Sequence, residues 1–128
     1  MHGELRILRC EKCYETFDLM EEKYLTEHYV PCPSCSHERL RPHIVWFHEM
    51  PLKMSEIYTA VEDCDVFITI GTSGHVYPAA GLIDVAKQAG AHCIGVNLEP
   101  PMNIAQHDEF HHGKACELLP GLIEKIVN

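Results

Sequence analysis

Val66-Phe67-Ile68-Thr69-Ile70-Gly71-Thr72-Ser73-Gly74 is the stretch that decides the fold of this 128-residue chain. Its first five residues form a continuous β-branched and aromatic run, which is typical of a strand buried on both faces of a parallel sheet. Its last four residues combine glycines with hydroxyl side chains. A turn of this kind, placed between a buried strand and a helix, lies at the carboxyl end of the sheet, where ligands bind.

Helices are predicted on both sides of this strand. The downstream helix begins at Pro78, is rich in Ala, Leu, Ile and Val, and ends at Gly90. The upstream helix is indicated by apolar residues that recur at positions i, i+3, i+4 and i+7, namely Met54, Ile57, Tyr58 and Val61. The strand is therefore expected to lie within a helix–strand–helix unit.

Further strands complete the pattern. Leu5–Leu8 alternates, Pro42–Phe47 is an extended apolar run, and Cys93–Leu98 is a second buried strand. Ala115–Leu119 is interpreted as a third strand of the same sheet, followed by a final helix that starts at Pro120. Strands that alternate with helices predict parallel pairing, so the fold class is α/β with a parallel sheet.

The first forty residues instead predict a metal site. Cys10 and Cys13 form one C-x2-C pair, and Cys32 and Cys35 form another after 18 intervening residues. Two residues between cysteines allow one tight turn to aim both sulfurs at the same ion, and two such turns complete the tetrahedron that Zn²⁺ prefers. Four thiolates leave no open coordination position, so we expect one structural zinc per chain.

Charge and composition exclude some classes of function. The 19 acidic and 10 basic residues give a net charge of −9. This balance argues against nucleic-acid binding, which depends on clustered Lys and Arg. No apolar run approaches the ~20 residues that span a bilayer, and Met1–Cys10 lacks the features of a signal peptide. We therefore expect a reducing, cytoplasmic environment, in which the three other cysteines, Cys64, Cys93 and Cys116, are buried packing thiols.

The strand ends are candidate ligand contacts. Glycines in the Gly71–Gly74 turn would let the backbone approach a phosphate, to which Thr72 and Ser73 would donate hydrogen bonds. Asn97 and Glu99 end the next predicted strand, where an amide or a carboxylate binds ribose hydroxyls in dinucleotide folds. Each feature taken alone also fits an ordinary turn or a polar strand end.

Taken together, the motifs resemble those of the sirtuins, the NAD-dependent protein-lysine deacylases, and in particular the bacterial type. The similarity covers nearly the whole chain and is carried, in order and spacing, by Leu40-Arg41-Pro42-His43-Ile44-Val45-Trp46-Phe47, Gly71-Thr72-Ser73, Val76-Tyr77-Pro78-Ala79-Ala80 and Asn97-Leu98-Glu99. The four cysteines lie where that family has its zinc ribbon.

The resemblance implies roles for individual residues. NAD, the co-substrate, would be bound through its phosphate and ribose groups by Gly71, Thr72 and Ser73, through its adenosine ribose by Asn97 and Glu99, and near its adenine by Lys114 and Ala115. An extended acyl-lysine peptide would be held between Val45 with Phe47 and the loop of Val76 and Tyr77, by strand addition.

His2 matches the catalytic histidine of the family, which is the general base for the nicotinamide ribose hydroxyls. Without the resemblance, His2 would be interpreted as an ordinary terminal residue. The implied reaction releases nicotinamide and an O-acyl-ADP-ribose, so it has the character of both a transferase and a hydrolase.

The sequence departs from the family in two ways. His48 stands where the family has a glycine before Glu49, and it would crowd the peptide if that glycine allows close approach. The first NAD glycine motif, the Gln-Asn-x-Asp motif and the first three strands of the family have no counterpart here. We therefore expect a C-terminal half whose activity alone is doubtful, with the edge of the Val66–Ile70 strand covered by a second copy, by a partner chain or by residues 1–10 of the chain itself.

The expected organisation is a zinc-ribbon module in residues 1–39, which begins at the catalytic-type histidine, and half of a Rossmann-like NAD-binding domain in residues 40–128. Two alternatives remain open. The chain is a non-catalytic zinc-containing module that binds a peptide or a protein, or it is a zinc ribbon that binds nucleic acid, which the acidic charge disfavours.

Overall fold

A computed structural model describes residues 1–27 and 30–127, which form two compact units, Met1–Lys53 and Met54–Asn128. The strands of the first unit are β1 (Gly3–Cys10), β2 (Thr16–Asp18) and β3 (Leu40–Ile44), with a short helix α1 (Glu22–Thr26) between β2 and β3. The second unit contains the helices α2 (Met54–Glu62), α3 (Leu82–Ala89) and α4 (Ala115–Val127) and the strands β4 (Val66–Ile70), β5 (His92–Asn97) and β6 (Glu109–His112).

The first unit is built on an antiparallel sheet of order β2-β1-β3. Because β3 pairs along β1, with Cys10 opposite Leu40 and Gly3 opposite Ile44, β3 belongs to the same unit as the cysteine-bearing segments. The unit boundary consequently falls after Lys53, whereas the sequence interpretation placed it after residue 39. The stretch from Tyr14 to Tyr29 has no clear sequence period and separates the two cysteine pairs; within it the chain forms β2 and α1, and its last two residues lie outside the described part.

The second unit is a parallel sheet of order β4-β5-β6, which confirms the α/β fold class. The central strand β5 has four consecutive buried residues, Cys93–Val96. The strand β4 is only partly buried and ends at Ile70, which is 48% exposed, so the prediction that this strand is covered on both faces is wrong. Within the described residues β4 pairs with β5 alone, and an edge strand lacks the cover that a central strand receives.

The end of the chain differs from the sequence interpretation. The third strand of the sheet is Glu109–His112, while Ala115–Leu119, which was interpreted as that strand, forms the first part of α4. Pro120 lies inside α4 instead of starting it. The first turn of α4 is fixed by the carbonyl of Lys114, which accepts the amides of Glu117 and Leu118.

The core of the second unit is formed where α2 and α3 cover one face of the sheet. It consists of Val61, Leu82, Ile83, Ala86, Ala91 and Cys93, with Cys64 and Phe67 packed against it. The prediction of a packing thiol is therefore confirmed for the buried Cys93 but is wrong for Cys116, which is exposed near the start of α4. Burial raises the pKa of the Cys93 thiol, so this side chain stays protonated and apolar.

Among the described residues, no helix combines the length and the apolar character that crossing a membrane requires.

Candidate zinc centre and candidate nucleotide site

Two nearly identical turns carry the four cysteines. In the first turn, the amide of Cys10 donates to Glu15 O (2.9 Å) and the amide of Tyr14 donates back to Cys10 O (3.2 Å). In the second, the amide of Cys32 donates to His37 O (2.8 Å) and the amide of Ser36 donates to Cys32 O (2.8 Å). Tyr14 and Ser36 both have left-handed backbone conformations, with φ of 63° and 57°. The C-x2-C spacing thus produces the same turn twice.

The four sulfurs fit one tetrahedral zinc. The Sγ atoms of Cys10, Cys13, Cys32 and Cys35 all lie within 4.8 Å of one another. Cys10 Sγ is 3.7 Å from Cys35 Sγ, and Cys13 Sγ is 3.6 Å from Cys32 Sγ. A tetrahedron with Zn–S bonds of about 2.3 Å has S–S edges of about 3.8 Å. The arrangement therefore has the size that zinc requires, and with four protein ligands its role is structural.

Cys10 and Cys13 have thiols with shifted pKa values. Burial opposes ionisation of Cys10, but hydrogen bonds from the backbone at Cys13 and Lys12 prevail and lower the pKa of its thiol to about 6. A backbone hydrogen bond at Glu15 favours the thiolate of Cys13, yet burial and the neighbouring sulfurs raise the pKa of that thiol to about 12. Four thiolates at these distances repel one another, and a divalent ion removes that repulsion.

The candidate nucleotide contacts of the second unit lie at one edge of its sheet. Since β4, β5 and β6 are parallel, Gly71, Leu98 and Gly113 all follow the carboxyl ends of their strands. Gly71 N donates to Val96 O and Gly113 N donates to Asn97 O, both at 3.0 Å. The structure thus brings the Gly71–Gly74 turn, the Asn97–Glu99 segment and Lys114 to the same edge, as the sequence predicted for a ligand-binding edge.

The Asn97 side chain holds the glycine turn. Its Nδ2 donates to Thr72 O (2.6 Å), while its Oδ1 accepts the amide of Leu98 (3.0 Å). Thr72 Oγ1 in turn accepts the amide of Gly74 (3.2 Å). The amide group of Asn97, interpreted as a ribose contact, therefore makes two hydrogen bonds within the chain and fixes the shape of the turn that would approach a phosphate.

Asn103 contacts the glycine turn, a contact that the sequence interpretation missed. The backbone of Gly74 has φ of 70°, and a Cβ atom at this position would lie 2.3 Å from Asn103 Oδ1. Met102 N donates to Ser73 O (3.0 Å), and Asn103 Nδ2 donates to Ala80 O (3.3 Å). The segment that contains Met102 and Asn103 therefore packs against the glycine turn and holds it in place. A single asparagine in a loop forms no sequence pattern from which such a contact could be predicted.

The remaining candidates of the second unit are accessible to a ligand. Glu99 and Lys114 are exposed, and Ala115 is half-buried at the start of α4. Val76 and Tyr77 are 60% and 72% exposed.

The candidates of the first unit lie at the end of its sheet. His2 is exposed, and its carbonyl accepts the amide of Val45 (2.9 Å), so its backbone is fixed although it is the second residue of the chain. Phe47 is 92% exposed, the largest exposed fraction among the large apolar side chains of the described residues. Val45 and Phe47 flank Trp46 in the segment that follows β3.

A buried arginine organises this segment, and the sequence interpretation assigned it no role. Arg41 is 7% exposed; its guanidinium forms a two-pronged ion pair with Glu49, with Nη2 3.0 Å from Oε2 and Nη1 in contact with Oε1. Nη2 also donates to Ile44 O (2.8 Å), and the guanidinium carbon lies 3.6 Å from the centre of the Trp46 ring. The signal in the sequence was an arginine within an apolar strand, eight residues before a glutamate.

Comparison with known proteins places this geometry in a family. The model of the Sir2 family matches residues 1–78. A curated NAD-dependent protein deacylase of Pasteurella multocida is 50% identical over 121 residues, which cover 94% of this chain and 50% of that protein. The chain spans about half the length of the curated relatives it matches.

Solved structures agree with the sequence relatives. The complex of a Sir2 homologue with NAD superposes with a TM-score of 0.82 at 34% identity, over 98% of this chain and 49% of that one. The structure of Sir2Af2 bound to a myristoylated histone peptide superposes with a TM-score of 0.74 at 37% identity, over 98% of this chain and 55% of that one. By its cysteine turns, its parallel sheet and these similarities, the chain belongs to the Sir2 family.

Proposed function

We propose that this chain carries the zinc centre and one part of the nucleotide and peptide sites of an NAD-dependent protein-lysine deacylase. The observation that supports this most directly is the convergence of the glycine turn, Asn97–Glu99 and Lys114 at the carboxyl edge of a parallel sheet. A Sir2 homologue of the same fold is described as an NAD complex. Such an edge is where α/β sheets bind nucleotides.

In this proposal NAD is bound by the second unit. The backbone of Gly71 and the hydroxyls of Thr72 and Ser73 contact phosphate and ribose, and the exposed Glu99 accepts hydrogen bonds from the adenosine ribose. Asn97 contributes to ribose binding indirectly, because its hydrogen bond to Thr72 O fixes the shape of this edge. Lys114 and Ala115 lie beside the adenine. The second unit, residues 54–128, then corresponds to the C-terminal half of a Rossmann-like NAD domain.

Val45 and Phe47 of the first unit are proposed to contact the peptide as an added strand. For the second unit, Val76 and Tyr77 are proposed as peptide contacts on the family resemblance. His2 is proposed as the general base for the nicotinamide ribose hydroxyls once nicotinamide has left, a task that suits the near-neutral pKa typical of histidine. The acyl group passes from lysine to ADP-ribose, and the amide bond is cleaved. Residues 1–39 provide the zinc ribbon and this histidine. A cytoplasmic location fits the reduced state of the four thiols.

Two measurements on the 128-residue chain test the proposal. The first is calorimetric titration with NAD, for which we expect saturable binding that Glu99→Gln and Thr72→Ala weaken. The second is nicotinamide release in the presence of an acetyl-lysine peptide, compared between the wild type and His2→Ala. Turnover that survives His2→Ala would remove the catalytic role of His2, and absence of both NAD binding and turnover would contradict the proposal.

A non-catalytic zinc module that binds a peptide is the second candidate, since Phe47 and Tyr77 are strongly exposed. It predicts peptide binding that is independent of NAD, with no nicotinamide release under any condition. We also infer that the apolar edge strand β4 associates with a second copy of the chain or with a partner chain.

A further inference from the structure

Arg41 is the centre of a contact network that shapes the turn Trp46–Glu49. Glu49 N donates to Trp46 O (3.1 Å), which closes the turn, and Glu49 Oε2 accepts the amide of Trp46 (2.9 Å). The Glu49 carboxylate thus contacts Arg41 with both oxygens and the Trp46 backbone with one. The guanidinium of Arg41 also lies over the indole ring of Trp46.

This network fixes the turn from three directions. The ion pair with Arg41 holds Glu49, the last residue of the turn, and stacking on the guanidinium holds Trp46, the first residue. The hydrogen bond from Arg41 Nη2 to Ile44 O holds the end of β3. The burial of Arg41 makes the arrangement specific, because a two-pronged guanidinium–carboxylate contact tolerates little change of angle. Phe47, between the attached residues, is left at the tip with its side chain in solvent.

The network also decides which backbone groups remain for a peptide. Val45 N–H donates to His2 O, and Trp46 N–H is bound by Glu49. Two amides of this segment are therefore engaged within the chain, so an added strand would use the other backbone groups, and the exposed Phe47 ring is the apolar contact that the turn offers.

We propose that Arg41 is a positioning residue, which acts through Glu49 and Trp46 to display Phe47 as the apolar anchor for an extended acyl-lysine peptide. The proposal rests on the peptide site proposed above and adds to it a specific cause of its shape. Arg41 itself touches neither the peptide nor NAD. The low pKa of Glu49, about 2 because of its hydrogen bonds from Arg41 and from the Trp46 amide, keeps the carboxylate ionised over the pH range of any assay.

Trp46 is the single tryptophan of the chain, so its fluorescence reports on the network alone. In Arg41→Gln and Glu49→Gln we expect red-shifted Trp46 emission and stronger quenching by acrylamide, because the ring loses its partner. Bound zinc of one per chain verifies that each variant has folded. The matched control is Arg39→Gln, which removes a largely exposed guanidinium 3.9 Å from Glu11 and should leave the emission unchanged.

Peptide affinity is measured by the anisotropy of a labelled acetyl-lysine peptide, and NAD affinity by calorimetry. We expect the peptide Kd to rise about tenfold in Arg41→Gln, in Glu49→Gln and in Phe47→Ala, with an unchanged NAD Kd. Arg41→Lys should fail to restore affinity because an ammonium lacks the planar fork. Phe47→Ala cannot disturb a core, and its Trp46 emission should match the wild type.

The outcomes separate the inference from the proposed function. If the wild type binds peptide and Arg41→Gln binds it equally well, or loses NAD affinity to the same degree, Arg41 is not a positioning residue for the peptide. If the wild type binds NAD but no peptide, the anchor role is overturned while the nucleotide site stands. If the wild type binds neither, the proposed function fails as well.

Discussion

His48 lies in a backbone conformation that strains an L-amino acid. It is the third residue of the turn Trp46–Glu49 and has φ of 72°. This position of a four-residue turn favours glycine when φ is positive, because a Cβ atom there approaches the carbonyl oxygen. The glycine that the family has at this place is therefore explained by the turn itself, in addition to any room that it leaves for a peptide.

Replacing His48 with glycine should raise the free energy of unfolding by about 1 kcal/mol, since the strain of the left-handed conformation is removed. Urea denaturation measures this change. His48→Ala is the matched control, because it removes the imidazole but keeps the strained Cβ. We also expect tighter peptide binding in His48→Gly. If His48→Ala improves peptide binding equally, crowding by the ring is the cause; if neither variant changes stability or affinity, the turn tolerates histidine.

Gly74 and Gly71 offer a second comparison of single residues. Both have positive φ, but a Cβ atom at Gly74 meets the side chain and backbone of Asn103, whereas one at Gly71 meets nothing within 4 Å. We expect Gly74→Ala to cost about 1–3 kcal/mol more than Gly71→Ala, because only the former adds overpacking to backbone strain. Equal values from thermal unfolding would show that the Asn103 loop moves aside freely.

At the scale of single residues, the sequence predicts which side chains can bind a ligand or a metal better than it predicts which side chains contact one another. The four cysteines were predicted as a set because their spacing encodes a turn, and the glycine turn because it follows a strand. Arg41 and Asn103 were missed since their importance depends on what approaches them in three dimensions. For Arg41 that is a glutamate and a tryptophan further along the chain, and for Asn103 a glycine nearly thirty residues earlier.

At the scale of elements, the first cysteine turn follows β1 and the second precedes β3. Apart from Cys10, the last residue of β1, neither turn lies within a helix or a strand, and the residues described between them include only a three-residue strand and a five-residue helix. A segment with so little regular structure depends on its metal for order.

Removing zinc should therefore unfold residues 9–36. Structural zinc contributes ~10 kcal/mol or more of apparent binding energy. We expect one zinc per purified chain by metal analysis and a loss of sheet signal in circular dichroism with a strong chelator. Cys32→Ser should lose the metal, and Cys116→Ser, at an exposed cysteine outside the cluster, should keep it. A metal-free chain with an unchanged spectrum would contradict a structural role.

Asp108 connects three elements of the second unit. Asp108 directly precedes β6. Its Oδ2 accepts a hydrogen bond from the amide of Cys93 at the start of β5 (2.9 Å), and its Oδ1 accepts one from Lys87 Nζ of α3 (2.9 Å). The Cys93 amide first, and Lys87 second, hold the pKa of this carboxyl below its usual value of 3.8. The ionised form is therefore the one that stabilises the fold.

Asp108→Asn should lower the free energy of unfolding at neutral pH, because charge-assisted hydrogen bonds become neutral ones, with an effect limited by solvent screening at this partly exposed site. A lowered pKa in the folded state stabilises above the unfolded pKa, and this contribution is lost as the pH falls through the folded pKa. The difference from wild type should thus shrink from about pH 4 downward. Urea titrations at several pH values measure it, with the exposed Asp63→Asn as control. A difference that is independent of pH would assign the effect to packing.

The sequence predicted most strands of the sheet and the final helix, but not the last strand or the start of that helix. Strand β4 was predicted with its observed bounds, and β5 within one residue, since apolar runs of this length occur in buried parallel strands. Strand β6 is four residues long and contains two histidines and a glutamate, so no apolar run marks it. Ala115–Leu119 was misinterpreted because Pro120 suggested a helix start, while the Lys114 carbonyl already begins the helix six residues earlier.

At the scale of the whole molecule, the uncharged strand Val66–Ile70 has one paired edge among the described residues. Apolar edges with free backbone groups associate readily. We expect a second copy to pair with it, so that light scattering gives a dimer at micromolar concentration. Ile70→Lys should yield a monomer, because it puts a charge at the exposed end of this strand.

The control for this variant is Leu5→Lys, which adds a lysine at an exposed apolar position of the first unit. It should leave the dimer intact. A wild-type monomer, or a dimer that survives Ile70→Lys, would show that this strand is not the interface.

The exposure of Cys116 has a practical consequence. Four of the seven thiols form the candidate zinc site and would be coordinated in the zinc-loaded protein, and Cys93 is buried with a raised pKa. Cys64 is partly covered and donates to Val61 O (3.2 Å). A maleimide dye added to the zinc-loaded protein would consequently couple at one place, the start of α4, two residues from Lys114 at the candidate nucleotide edge. The native chain thus contains an attachment point for an optical sensor of nucleotide binding, without the introduction or removal of a cysteine.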